Sequence, residues 1–239
     1  MEPKAKTARQ RAREEITEEI LAAARARLTS QGPGELSLRA VARDVGMVSS
    51  AVYRYFASRD ELLTALLIEG YDSLGEATEN ADRSITDRTD IGARWSAACR
   101  AIRTWSIDHP GDYALLYGSP VPGYAAPQDT IAPATRVIIV LIAIVVDAHA
   151  AGVRTPVAPP SAPPGTALTV ATAMEFVQAH DELGGLFDAE IAMRTLMAWT
   201  TIFGTISFEL FGHLVGSVSD YEAYFDQTVA RVGDDLGIL

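Results

Sequence analysis

The segment from Ser37 to Leu63 constrains the fold of this chain more than any other, because two short helix patterns and the start of a third follow one another within it. Gly46 follows the first pattern and can adopt the left-handed conformation that ends a helix, and Ser37 stands at the N-cap position before it. The apolar residues of this first helix are spaced i, i+3, i+4 and i+7, which places them on one face: Leu38, Val41, Ala42 and Val45. The order of these elements predicts a helix-turn-helix.

The second helix of the motif is predicted from about Val48 to Phe56. This helix should bury Val52, Tyr55 and Phe56, while its outer face should carry Ser49, Ser50, Tyr53 and Arg54. A helix fits the major groove of DNA, where outward side chains can reach the base edges. Ser49, Ser50 and Arg54 are therefore the candidate base contacts.

A third helix is predicted to begin at Ser58, because Glu61 three residues later can complete a capping box. Apolar residues at helical spacing continue this helix to about Leu74.

These residues resemble the DNA-binding region of the TetR family of bacterial transcriptional repressors, over roughly the first 75 residues. The likeness includes a leading helix from about Arg11 to Ser30, the Gly-Pro-Gly turn at 32–34, the Ala-Val-Tyr-Arg-Tyr-Phe run at 51–56 and the Ser-Arg-Asp-Glu-Leu-Leu continuation. Val48 stands where the family usually has Ser or Thr, and Ala57 replaces a common Pro. A side-chain cap on the second helix would therefore have to come from Ser49.

The resemblance implies further contacts with DNA. Tyr53 and Arg59 match family positions that clamp phosphates, and Ser37 and Arg39 would support them from the preceding helix. One helix-turn-helix covers too short a site for useful affinity, so a homodimer on a palindromic operator of double-stranded DNA is expected.

The net charge of -11 conceals an uneven distribution along the chain. Residues 1–60 contain 11 Lys and Arg against 8 Asp and Glu, whereas the remaining residues contain 9 against 23. Positive charge is thus concentrated where the motif lies. A flexible basic arm ahead of the first helix is predicted to follow the phosphate backbone, with a solvated tail as the alternative: Lys4, Lys6, Arg9, Arg11 and Arg13.

The opening residues are polar and charged and do not resemble a signal peptide, which predicts a cytoplasmic protein. The most apolar run, Val137 to Val146, has ten residues. About 20 are needed to cross a bilayer, so a buried helix is predicted instead. The single Cys99 excludes an intramolecular disulfide and is interpreted as a small core residue.

The rest of the chain is typical of helices joined by loops. Helices are predicted at about 90–108, from Pro110, at 168–183, at 189–215 after an Asp188 cap, and from Asp220 to near Leu236. Loops are predicted at 118–127 and at 156–165, which contains five prolines. The prediction is an all-α fold of about nine or ten helices. A three-helix helix-turn-helix domain would occupy 1–75, and a larger helical ligand-binding and dimerisation domain would occupy 76–239.

The C-terminal part resembles, more weakly, a regulatory domain of this family that is marked by Trp, His and Gly. The residues that carry the likeness are Trp105, His109-Pro110, Tyr113, the Gly118 loop, Trp199, Phe203-Gly204 and Glu209 to His213.

Segments 168–183 and 189–215 are predicted to form the dimer interface as a four-helix bundle, which the resemblance also implies. Apolar side chains surround the second segment too fully for one intramolecular face, although a core helix of a monomer is the alternative. These side chains are Ile191, Leu196, Trp199, Ile202, Phe203, Ile206, Phe208, Leu210, Phe211 and Leu214.

A ligand pocket between helices is predicted from aromatic and apolar residues, with plain core packing as the alternative: Trp95, Trp105, Tyr113, Tyr117 and Met174. Glu209 and His213 lie four residues apart on one helical face. Two ligands are too few for a metal ion, so a structural hydrogen-bonded pair is favoured. No spacing points to hydrolysis, to a phosphate-binding loop or to a cofactor.

The expected function is that of a DNA-binding transcriptional regulator rather than an enzyme. We expect a repressor that a small, largely apolar effector releases from its operator. One alternative is a helical small-molecule-binding protein or enzyme without DNA-dependent function. Another is an architectural DNA-binding protein without effector control.

Overall fold

The computed structural model describes residues 7–153, 157–159, 161–180, 183 and 187–239. In these residues the chain forms eleven α-helices and no strand, which confirms the all-α prediction. The number exceeds nine or ten because two helices are single turns. The helices are α1 (Ala8–Gln31), α2 (Leu38–Asp44), α3 (Ser49–Val52), α4 (Arg59–Ser84), α5 (Ile91–Asp108), α6 (Pro110–Tyr117), α7 (Ile131–Ala150), α8 (Thr166–Thr169), α9 (Ala171–Gln178), α10 (Ala189–Leu210) and α11 (Tyr221–Asp235).

The chain divides into two compact units. The N-terminal unit consists of the described residues up to Asp72 together with His109–Pro133. The C-terminal unit consists of Ser73–Asp108 and the described residues from Ala134 to Leu239. The division at residue 72 falls inside α4, and it assigns α6 to the N-terminal unit.

The N-terminal unit has one apolar core to which α1, α2, α3, α4 and α6 all contribute. Helix α1 begins with a capping box, in which Thr7 Oγ1 accepts from the Gln10 amide and Gln10 Oε1 accepts from the Thr7 amide. Helix α6 packs directly on α1. A Cβ at Gly111 would lie 2.7 Å from the backbone nitrogen of Thr29, so only glycine permits this approach.

The C-terminal unit is built around α5, which packs on α10 and α11. Trp95 of α5 is fully buried and donates from Nε1 to the carbonyl oxygen of Val229 over 3.1 Å. Arg103 of α5 pairs with Glu209 of α10 through two hydrogen bonds of 2.9 and 2.7 Å. Cys99 is also fully buried, as expected for a core residue, and its burial raises the pKa of the thiol.

Arg94 is a buried cation that connects three helices of this unit. Its guanidinium group lies 2.7 Å from Asp82 of α4 and 2.7 Å from Asp147 of α7. Burial alone would raise the pKa of Asp82, but hydrogen bonds from Arg94 and Arg88 outweigh it and lower that pKa. The carboxylate therefore stays ionised beside the buried arginine.

Helix α7 confirms the helical prediction for the apolar run, although the helix extends well beyond the run itself. Residues Gln128–Ala150 have a mean hydropathy of 2.2 and are long and apolar enough to cross a membrane by length and composition alone. Both charged side chains of α7 are paired within the C-terminal unit. Arg136 lies 2.8 Å from Glu79, and Asp147 contacts Arg94. Buried Leu141, Ile144 and Val145 give α7 the character of a packed helix.

Several helices end at other residues than the sequence predicts. The segment predicted as one helix at 168–183 is α8 followed by α9, which ends at Gln178, and residues 181 and 182 lie outside the described residues. Helix α10 ends at Leu210 rather than Val215, since Gly212 takes a φ of 78° just beyond it. The caps predicted for α10 and α11 are present: Asp188 accepts from two amides of α10, and Asp220 accepts from the Ala223 amide. Of the proline-rich loop predicted at 156–165, residues 156 and 160 lie outside the described residues.

Candidate nucleic-acid interface

The turn between α2 and α3 has the geometry that the sequence predicts. Ser37 has an extended backbone before α2, and its carbonyl oxygen accepts from the Ala40 and Val41 amides at 3.0 Å, but its side chain caps nothing. Gly46 has a φ of 67°, in the left-handed region. The Met47 amide then donates to the Ala42 carbonyl over 2.8 Å. This left-handed residue and this hydrogen bond form the turn between the two helices.

Helix α3 is shorter than predicted, because it covers only Ser49–Val52 rather than Val48 to Phe56. Val48 occupies the N-cap position without a side-chain cap, so Ser49 does not move into that role. After Val52 the chain continues in tight turns. The Arg54 amide donates to the carbonyl oxygen of Ala51 over 3.1 Å, and the Tyr55 amide donates to that of Val52 over 2.9 Å. Both hydrogen bonds reach three residues back, as in a 3₁₀ turn.

The side chains around α3 form a buried set and an exposed set. The predicted burial is confirmed at two of the three apolar positions. Val52 and Phe56 are buried in the N-terminal core, whereas Tyr55 is only half-buried. Ser50, Tyr53 and Arg54 are exposed, and Ser49 is half-buried. Val48, with 71% of its surface exposed, lies beside them and was missed by the sequence reasoning. The one sign of it in the sequence was that an apolar residue occupies the capping position of α3.

Arg13 of α1 contacts the turn that follows α3. Its Nη2 donates to the carbonyl oxygen of Arg54 over 3.2 Å, and its guanidinium carbon lies 5.3 Å from the centre of the Tyr55 ring. Arg9, Arg11 and Arg13 lie inside α1, so the prediction of a flexible arm was wrong for these three residues. Lys4 and Lys6 lie outside the described residues.

Arg59 is engaged in a way that the sequence did not predict. Its Nε donates to the carbonyl oxygen of Leu36 over 2.8 Å, and its Nη2 donates to those of Pro33 and Gly34, both over 3.0 Å. The residue therefore ties the start of α4 to the turn that precedes α2. Of the other two predicted phosphate contacts near α2, Arg39 is exposed and Ser37 is half-buried.

The one acidic residue of α2, Asp44, is paired with a cation. Arg27 of α1 donates to its two carboxylate oxygens over 2.5 and 2.9 Å, and these hydrogen bonds lower the pKa of Asp44. The motif also carries exposed arginines, Arg39 and Arg43 on α2 and Arg54 just after α3.

The five residues predicted to bind a ligand lie in both units. Trp95, Trp105 and Met174 belong to the C-terminal unit, where Trp105 donates from Nε1 to Ser73 Oγ over 2.9 Å. Tyr113 and Tyr117 belong to the N-terminal unit, with ring centres 5.2 Å apart. Their role as ligand contacts stays a prediction.

None of these five residues lines a cavity of about 310 Å³ between α7, α9 and α10 in the C-terminal unit. Its lining includes Trp199, which the sequence reasoning assigned to a dimer interface. The lining residues come from positions more than 60 apart, and no sequence pattern marked them as one site.

The predicted dimer interface requires a correction, because several of its residues are already covered. Four of them are buried by contacts within the chain: Ile191, Ile202, Phe203 and Ile206. Phe208 and Phe211 remain exposed, and Met197, Val215 and Tyr224 are exposed large apolar side chains of the same unit. One side of α10 is thus buried within the chain, whereas another side is exposed to solvent.

Glu209 and His213 do not form the pair that was favoured from the sequence. Glu209 binds Arg103, and the His213 ring lies 5.1 Å from the ring of Phe208. Among the described residues no group of three or more His, Cys, Asp or Glu is arranged to hold a metal ion.

Comparison with known proteins agrees with this geometry. The family model for bacterial regulatory proteins of the tetR family matches residues 20–66, and the one for the tetracyclin repressor-like C-terminal domain matches residues 95–232. An HTH-type transcriptional regulator of Mycobacterium tuberculosis, Rv1816, is 40% identical over 217 residues, which are 85% of this chain and 84% of that protein.

Two solved structures are similar over nearly the whole chain. SCO4313, described as a regulatory protein, is 30% identical with a TM-score of 0.70, covering 95% of this chain and 98% of that one. A protein of unknown function from Rhodococcus sp. RHA1 is 25% identical with a TM-score of 0.64, covering 93% of each chain. Members of the tetR family bind DNA and act as dimers. With its helix-turn-helix, its matched C-terminal domain and its 40% identical relatives, the chain belongs to the tetR family and is a DNA-binding transcriptional regulator.

Proposed function

We propose that this protein is a homodimeric repressor that binds a palindromic operator in the cytoplasm and leaves it when a small effector binds. The observation that carries the DNA-binding part is the exposed surface of Ser50, Tyr53 and Arg54. Buried Val52 and Phe56 anchor this surface, and Arg13 braces it. A rigid support is what a contact surface needs to read bases.

Each predicted contact is assigned a role in this proposal. Ser49, Ser50 and Arg54 reach base edges in the major groove, while Tyr53, Ser37 and Arg39 hold phosphates. Arg59 acts indirectly, because its three hydrogen bonds to backbone carbonyls hold the turn before α2. The exposed Val48 is suited to apolar contact with a thymine methyl group.

The open side of α10 supports the homodimer. Met197 and Phe208 are each 53% exposed, and Phe211 and Val215 continue the same apolar strip beyond the end of the helix. Exposed apolar strips of this kind mark protein interfaces. Because α11 packs on α10, a bundle of α10 and α11 from two subunits replaces the one predicted from segments 168–183 and 189–215.

The regulatory role is assigned to residues 76–239 and the DNA-binding role to residues 1–75. A protein that only bound DNA would not need so large an apolar helical part in addition. An effector that binds the DNA-incompetent state more tightly would release the operator by shifting the population of the two states.

Selection of bound sequences from a random DNA pool tests the proposal. We expect the wild type to enrich a palindrome and the double variant Tyr53→Ala, Arg54→Ala to lose about 100-fold in affinity for it. The helical content by circular dichroism should not change. The exposed Arg83→Ala in α4 is a matched control that should bind as the wild type does. Specific binding retained by the double variant would contradict the residue assignment, and no enrichment by the wild type would contradict the function.

A further inference from the structure

We propose that the cavity between α7, α9 and α10 binds a neutral, mainly apolar molecule with one hydrogen-bonding group, and that Thr195 binds this group. The identification of this molecule as the effector rests on the proposed function. The binding step itself requires no DNA.

The walls of the cavity are mainly apolar and come from three helices and from Phe187, two residues before the start of α10. The volume of about 310 Å³ is roughly twice that of an engineered protein cavity that holds benzene, which suggests a ligand of about 12 non-hydrogen atoms. The lining residues are Thr135, Ile138, Ile142, Thr172, Ala173, Phe176, Val177, Phe187, Ala192, Thr195, Leu196 and Trp199.

Thr195 is a buried polar residue of this cavity whose hydroxyl lacks a partner in the part of the chain that the structure describes. Its side chain is 3% exposed, and Oγ1 has no hydrogen-bond partner among the described residues. Helical threonines commonly donate to the carbonyl four residues back. Six others among the described residues do so: Thr17, Thr64, Thr78, Thr169, Thr205 and Thr228. An unpaired hydroxyl is costly in an apolar site, and a ligand that supplies the missing bond would remove that cost.

The lining also disfavours a charged ligand. Among the described residues that line the cavity none carries a charge. A carboxylate or ammonium group would lose its hydration there without gaining a counter-ion. A hydroxyl, carbonyl or ether group loses far less, and one such group is what Thr195 can satisfy.

The position of Thr195 connects the cavity to the proposed dimer contact. Thr195, Leu196 and Trp199 line the cavity from α10, while Met197 on the same turns is exposed to solvent. A ligand that fills the space beside α10 therefore acts on the helix that would meet the partner subunit. This gives effector binding a physical route to the spacing of the two DNA-binding motifs.

The test measures binding of two alcohols and their hydrocarbon analogues to the purified full-length protein without DNA. The hydroxyl-bearing probes are 1-naphthol and 1-decanol, and naphthalene and decane are their hydrocarbon analogues. Binding is measured by isothermal titration calorimetry and by the change in tryptophan fluorescence, to which Trp199 in the cavity lining contributes. We expect one alcohol molecule per chain, bound about tenfold more tightly than its hydrocarbon. Thr195→Val should abolish that tenfold preference and leave hydrocarbon binding unchanged.

A second pair of variants locates the site. Ala173→Phe fills the cavity from α9 and should abolish binding of all four probes, whereas Ala179→Phe adds the same ring at an exposed position outside the lining and should not. Thermal melting of each variant shows that it is folded. The inference is overturned if neither alcohol binds, if the two phenylalanine variants bind alike, if Thr195→Val keeps the preference, or if 1-naphthoate binds as tightly as 1-naphthol. Failure of operator binding would overturn the proposed function and leave these results standing.

Discussion

The guanidinium group of Arg59 donates a hydrogen bond from Nε to the carbonyl oxygen of Leu36 over 2.8 Å. The same side chain binds the carbonyl oxygens of Pro33 and Gly34 through Nη2. One residue at the start of α4 thus satisfies three backbone acceptors that lie 23 to 26 positions earlier in the chain. A lysine cannot reproduce this planar, forked donor set.

Substitution of Arg59 should therefore affect stability as well as DNA binding. We expect Arg59→Ala to lower the free energy of unfolding by about 2 kcal/mol, because three carbonyl groups lose a charged donor. Arg59→Lys should recover less than half of this, although it keeps the charge. Urea denaturation measures the effect, with the exposed Arg39→Ala as control. A role in phosphate contact alone would instead leave the stability of both Arg59 variants unchanged.

Arg39 is expected to contribute through the salt-dependent part of DNA binding. If it holds a phosphate in each of two subunits, Arg39→Ala should reduce the slope of log K against log salt concentration by about 2. The loss of affinity should be similar for operator and scrambled DNA, since phosphate contacts carry no sequence information. A fluorescence anisotropy titration at several salt concentrations measures both quantities. An unchanged slope, equal to that of Arg83→Ala, would exclude Arg39 from the phosphate contacts.

The open side of α10 leads to a prediction about oligomeric state. Phe208→Glu places a charge in the proposed interface and should convert the dimer to a monomer at micromolar concentration, as measured by light scattering after size exclusion. Leu168→Glu is the matched control, because Leu168 is an exposed apolar residue in the segment that the sequence first assigned to the interface. A dimer that survives Phe208→Glu but not Leu168→Glu would return the interface to segment 168–183.

The buried cluster around Arg94 should give the C-terminal unit a specific sensitivity to acid. The pKa of Asp82 is lowered in the folded protein, so its contribution to stability is fully present above the unfolded value near 3.9 and is lost as the pH falls through the folded value. Asp82→Asn should cost about 2–3 kcal/mol at pH 7, because the buried Arg94 loses one of the two carboxylates that it contacts among the described residues, Asp82 and Asp147. The variant should also lose less stability than the wild type from about pH 4 downward.

Urea denaturation at pH 7 and at pH 3 measures both effects, with the exposed Asp234→Asn as control. Parallel pH profiles for the wild type and Asp82→Asn would contradict the assignment of this acid sensitivity to Asp82.

The sequence by itself determined the elements whose cause is local. Gly46 ends the first helix of the motif through its left-handed backbone, and Asp188 and Asp220 begin α10 and α11 through side-chain caps. Ser58 likewise accepts from the Glu61 amide, although Glu61 itself binds the Ala57 amide. These interactions span two to four residues, so spacing in the sequence is enough to predict them. The DNA-binding motif is of this kind, which is why it could be recognised at once.

Only the tertiary structure decided which partners distant residues find. Arg13 contacts Tyr55, Arg59 contacts Leu36, and Arg103 contacts Glu209, and each pair is separated by more than 20 positions. The sequence showed that α10 is apolar nearly all round, but it could not show which side the chain itself buries and which side remains for a partner. The cavity and the unpaired hydroxyl of Thr195 exist for the same reason, since a void and a missing hydrogen bond depend on how whole helices pack, and no local pattern encodes them.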